Sequence, residues 1–140
     1  MFGLAPVRGT LAVQSGTVDL DGPAGPAVYA EVDTASFRTG NSQRDRSVRS
    51  PRFLDAADHP VMIFRSEKLD TEGRILSGTL TVRGVTHPVS LSVVHYVPSD
   101  GSFTARATAH IDRTEFGVTA ARGLAARHLT VTVEVQCVRR

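Results

Sequence analysis

The chain has 140 residues, enough for one domain spanning 1–140 with a real core and too few for two. Its formal charge of +2 comes from 16 basic against 14 acidic side chains, interleaved along the chain, which argues against a nucleic-acid footprint. Lys68 is the sole lysine, and the arginine bias fits a GC-rich genome better than phosphate recognition. No apolar run reaches membrane-spanning length, so stable membrane insertion is not expected. The single Cys137 excludes an internal disulfide, and Met1–Arg8 shows no secretory leader. A cytoplasmic protein is expected, or a periplasmic or secreted one if its true start lies upstream.

Alternation is the dominant period. Val28, Ala30 and Val32 oppose Tyr29, Glu31 and Asp33, and Leu91 and Val93 oppose Ser90 and Ser92. Phe103, Ala105, Ala107, Ala109 and Ile111 oppose Thr104, Arg106, Thr108, His110 and Asp112. Leu129, Val131, Val133 and Val135 repeat the device against Thr130, Thr132, Glu134 and Gln136. The pattern predicts about eight strands near 6–13, 16–20, 27–33, 61–69, 74–83, 88–97, 102–111 and 128–138, the second of them short. One apolar and one polar face, repeated this often, describes an all-β antiparallel sheet curled round one interior. Asp21–Pro26, Asp70–Gly73 and Pro98–Gly101 carry turn chemistry between strands.

One stretch breaks the alternation. Ser42-Gln-Arg-Asp45 reads as a capping box, and Ser50-Pro51 repeats a cap before a proline at the first helical position. A short, two-step helical insert near 41–58 follows, with a weaker helical turn near 119–127. Arg44, Arg46, Arg49 and Arg52 cluster in the insert, but Asp45, Asp55 and Asp58 dilute them. A solvated helix face is favoured over phosphate-backbone binding, and no basic–aromatic stacking face accompanies it.

Catalytic signals are sparse. His110 and Asp112 share the polar face of one strand, but no third ligand or metal-binding His spacing joins them. His59 ends the insert, and His87-Pro88 most simply closes the Arg83–Thr86 turn. Cys137 has no partner His at a known spacing, and there is no nucleophile elbow, phosphate loop or dinucleotide fingerprint. No cofactor and no metal are expected.

The apolar face of 103–111 is Phe-Ala-Ala-Ala-Ile, so methyl groups line its middle. A closed barrel of about eight strands can be filled by large side chains or enclose one ligand. Small inward residues and the absence of tryptophan favour empty space. The other reading has Phe37, Phe53, Met62 or Phe64 filling it. Both stay open.

Gln43–Pro60, Ile63–Ser66, Gly78–Leu91 and Ile111–Val118 together resemble the signature segments of the YceI-like family, in order and spacing and over most of the chain. The resemblance implies a lipocalin-like antiparallel barrel whose bore holds a polyisoprenoid chain, such as a polyprenyl lipid or isoprenoid quinone. It implies no enzyme activity. The family's first strand is missing before Phe2–Thr10, so a late-annotated start is expected, in preference to a dimer partner or neighbouring strand covering the gap.

On that basis the expected function is carriage of an isoprenoid lipid. Phe64, Leu80, Val82, Leu91, Val93, Phe103, Ala105, Ala107, Ala109, Val131 and Val133 would line the bore. Arg44 and Arg52 would meet a polar headgroup, and the insert would close one end. A ligand-free oligomeric interaction module is the alternative, with a homodimer as its simplest form. A hydrolase built on His110 and Asp112 comes third.

Overall fold

The computed structural model describes residues 10–19, 27–70, 72–118 and 128–138. Seven strands form one antiparallel sheet in chain order: β1 (Thr10–Asp19), β2 (Ala27–Arg38), β3 (Val61–Leu69), β4 (Ile75–Val82), β5 (Val85–Ser99), β6 (Ser102–Asp112) and β7 (His128–Val138). The meander curls into a nearly closed barrel, and among the described residues β1 and β7 each pair with one neighbour only. Among the described residues seven strands stand where about eight were expected. The segments near 16–20 and 10–13 run on as one strand, kept continuous by register shifts between Thr10 and Ala12 and between Val13 and Ser15. Residues 6–9, and the helical turn expected at 119–127, lie outside the described residues.

Turn chemistry sets the strand registers. Val82 pairs directly with Val85, which leaves Arg83 (φ 52°) and Gly84 (φ 75°) as a two-residue turn of the positive-φ kind that matches strand twist. At the next rim the Asp70 carboxylate accepts the backbone N–H groups of Arg74 (2.6 Å) and Ile75 (3.0 Å). Those bonds hold its pKa below the usual carboxylate range.

The insert is helical at one step, not two. Helix α1 (Ser42–Arg49) is capped by Asn41, whose side chain accepts from Arg44 N (3.0 Å), so the cap lies one residue before the expected Ser42. Asp45 does not reach back along the helix. Its carboxylate instead takes the backbone N–H of Thr39 (2.9 Å) and the Thr39 hydroxyl (2.6 Å), tying α1 to the end of β2. Ser50 ends α1 rather than starting a second helix, and turns closed by bonds such as Leu54 N to Val48 O (2.8 Å) carry the chain to β3. Proline at 51 follows a C-cap here, another common place for it.

The core sits at the insert end. Met62, Val82, Phe116 and Val118 form its buried cluster, with Val32, Phe53, Leu54, Leu80, Val89 and Ile111 packed round it. A short 3₁₀ turn at Arg113–Phe116, not foreseen from the sequence, contributes Phe116. Asp112 caps it through Thr114 N (3.0 Å), and Gly117 ends it at φ 77°.

Candidate ligand-binding bore

Strand pairing decides which side chains share the inner face. Phe103 pairs with Cys137, Ala105 with Val135, Ala107 with Val133 and Ala109 with Val131 across β6 and β7. Val93 pairs with Ala107 across β5 and β6, while Leu91 faces Leu76 and Val89 faces Gly78 across β4 and β5. Phe64 faces Leu80 and Ala30, and Met62 faces Val32. Cross-strand partners project to the same side, so these residues form one continuous apolar surface.

That surface is unevenly filled. Phe64, Val82 and Ala109 are buried near the core end. Leu80, Val89, Leu91, Val93, Phe103, Ala105, Ala107, Val131 and Val133 are only half-buried. Phe53, Met62 and Phe64 therefore fill one end, and Phe37 is half-buried close by with its carbonyl taking the Arg49 Nε proton (3.0 Å). The middle, lined by Ala105 and Ala107, is only half-buried.

The filled end is polar at its margin. Arg113, 7% exposed, donates to Val118 O (2.8 Å) and sets its guanidinium 5.8 Å from the Phe53 ring centroid. His87 does not close the β4–β5 turn. It stands within β5 opposite Leu80, edge-on to Phe116 (5.8 Å between centroids), with Nε2 2.7 Å from Glu115 Oε2. Its inward direction follows from the same alternation as Val89 and Leu91. Thr34, 1% exposed on β2 beyond Val32, buries a hydroxyl that has no hydrogen-bond partner among the described residues. At the opposite end Cys137 lies beside Phe103, and burial pushes its thiol pKa up.

The other predicted residues lie elsewhere. Arg44 and Arg52 are exposed on the insert, with Arg44 Nη1 3.4 Å from the Thr39 hydroxyl. His110 is exposed on the outer face with Nδ1 3.2 Å from Thr130 Oγ1, and Asp112 is engaged as a cap. His110 also lines a shallow groove of about 370 Å³ together with Pro88, Val89, Ser90 and Ser92. Among the described residues no group of three His, Cys, Asp or Glu side chains could hold a metal.

An antiparallel meander, nearly closed round a one-sidedly apolar interior and plugged at one end by a short insert, is a lipocalin-like barrel. The chain belongs to the YceI-like family, whose domain model matches residues 1–138. It is 32% identical over 130 residues to a UPF0312 protein of Pectobacterium carotovorum, covering 88% of this chain and 68% of the relative. It is 29% identical to the protein YceI of Salmonella arizonae, covering 96% of this chain and 75% of that one. Among solved structures, a Campylobacter jejuni YceI protein superposes with a TM-score of 0.79 at 20% identity, covering 100% of this chain and 89% of that chain. A domain from Saccharophagus degradans described as polyisoprenoid-binding superposes with a TM-score of 0.64 at 13% identity, covering 96% of this chain and 100% of that domain.

Proposed function

We propose that the protein binds a linear isoprenoid lipid, a polyprenyl chain or the tail of an isoprenoid quinone, in the bore between the core end and the opposite mouth. The observation that carries this reading is the half-buried, small-residue stretch of apolar inner face centred on Ala105, Ala107, Val131 and Val133. Membership of the YceI-like family, and a fold shared with a domain described as polyisoprenoid-binding, support it. A flexible, branched hydrocarbon fits a lining of methyl and isopropyl groups. An inner face of apolar side chains suits binding and carriage.

Energetics favour exchange over storage. Each prenyl unit removed from water contributes about 3 kcal/mol, and ordering of the chain offsets much of the sum. A bilayer interior is as apolar as the bore, so transfer between the two is nearly neutral and selection rests on bore shape. Native mass spectrometry and solvent extraction of the purified protein test the proposal. A co-purifying isoprenoid, or uptake of added polyprenol at one per chain, is expected. Neither outcome, with the inner face unchanged by added lipid, would sink it.

A further inference from the structure

Seven residues of β5, Val93–Ser99, run beyond Ser92, the last that pairs with β4. With the facing ends of β6 and β7 they make a ribbon that projects about 20 Å past the β3–β4 rim. Its turn, Asp100–Gly101, lies at the mouth end, opposite the insert. Every residue from Val94 to Gly101 is exposed. A register shift between Val93 and His95 adds one residue and reverses the side-chain parity, so Tyr96, paired with Ala105, turns to the inner face. The outer face carries Val94 (57% exposed), Val97 (42%) and Val138 (70%). The inner face carries Tyr96 (52%), its ring 5.3 Å from that of Phe103.

A ribbon in water ordinarily shows one polar face, and apolar character on both faces marks an element covered on both. We infer that this ribbon is a contact surface for the headgroup–acyl boundary of a lipid bilayer. The inference rests on the lipid-binding reading, because its inner face continues directly into the bore through Phe103 and Ala105. A lipid chain could then pass from membrane to bore along apolar side chains. Tyrosine, apolar in its ring and polar at its tip, is suited to that boundary. Past Val93, whose N–H donates to Arg74 O (2.7 Å), the β5 edge has no strand partner among the described residues, which keeps the ribbon at the boundary, since unsatisfied backbone groups in hydrocarbon cost several kcal/mol each. Among the described residues of the ribbon Asp100 is the one carboxylate, His95, Tyr96 and Cys137 are the other titratable groups, and below it Arg106 pairs with Glu134 at 2.7 Å.

A second copy of the chain is the competing occupant. The bulge at Val94 and the proline at 98 argue against it, since both features blunt an edge against strand addition.

Flotation with phosphatidylcholine vesicles tests the surface. The protein should float with the vesicles, and about 0.5 M salt should not release it, because no surplus charge is used. V94D/V97D should lower the bound fraction about tenfold while extractable lipid in the purified protein stays as in the wild type. As the chain has no tryptophan, V97W provides a second readout, a blue shift of its emission on vesicle addition. Wild-type protein that fails to float, or floats only with anionic vesicles and is released by salt, overturns the inference. So does a concentration-dependent dimer abolished by V94D/V97D without vesicle binding. Flotation by a protein that never carries lipid would sustain the surface and sink the lipid-binding reading alone.

Discussion

Ser66 on β3 faces Gly78 on β4, and a Cβ at Gly78 would stand 2.2 Å from the Arg65 carbonyl oxygen and 2.9 Å from Ser66 Cα. The obstruction is backbone, which a rotamer change cannot relieve. The approach coincides with the register shift between Ser66 and Lys68, and the Ser66 hydroxyl there accepts the Val28 N–H at 2.7 Å. Glycine at 78 thus lets three strands bend together where the barrel turns. Gly78→Ala should destabilise by about 1–3 kcal/mol, toward the upper end because a strand must move. Urea unfolding reads this as a lower midpoint. A midpoint equal to wild type would mean the strands are not held this close.

The filled end should behave as an ordinary core. Phe116, 3% exposed, packs in the cluster of Met62, Val82 and Val118. Phe116→Ala is expected to cost about 3–5 kcal/mol through lost contacts and the cavity left behind. The urea m-value should stay unchanged, which separates lost packing from a changed denatured state.

The middle of the bore should respond in the opposite way. Ala107→Phe adds a ring to the half-buried inner face where the proposed ligand would lie, so the ligand-free protein should unfold no earlier than wild type. Displacing one prenyl unit, worth about 3 kcal/mol against water, should weaken a short soluble prenyl probe about a hundredfold. Titration calorimetry with that probe checks the binding. Unchanged affinity would place the ligand elsewhere.

Much of this was readable from alternation. Phe103 to Ile111 and Val131 to Val135 fall on one face because period two survives wherever strands pair without interruption. What alternation cannot carry is an inserted residue. The extra residue at Val94 turns Tyr96 inward, and no residue type in Val93–Tyr96 announces it. The cap of α1 lay one residue off because Asn41 and Ser42 are both good caps, and the choice was made by Asp45 binding Thr39 instead. His87 was legible, since it shares parity with Val89 and Leu91, but the neighbouring proline suggested a turn. The burial of Arg113 was not legible. It depends on Phe53, sixty residues earlier, arriving at the same end of the barrel.

The outer face of the first strands is held by a carboxylate. Glu31 accepts from the Ser15 hydroxyl (2.8 Å) on β1 and the Tyr29 hydroxyl (2.9 Å) on its own strand, and Arg65 on β3 lies 4.7 Å from the Tyr29 ring centroid. The Ser15 and Tyr29 hydrogen bonds hold the Glu31 pKa below the usual carboxylate range, and the bond to Glu31 raises that of Tyr29. A carboxylate whose folded pKa is depressed contributes stability above its unfolded pKa, and that contribution is lost as pH falls through the folded value. Because β1 has β2 as its single neighbour among the described residues, the loss should appear first as local opening of β1. Amide exchange at Val13–Val18, corrected for the intrinsic pH dependence, should accelerate on acidification relative to β3 and β4. Glu31→Gln should bring that faster exchange to neutral pH and flatten its pH dependence. Equal acceleration in all strands of the wild type would show that Glu31 does not hold β1 in place.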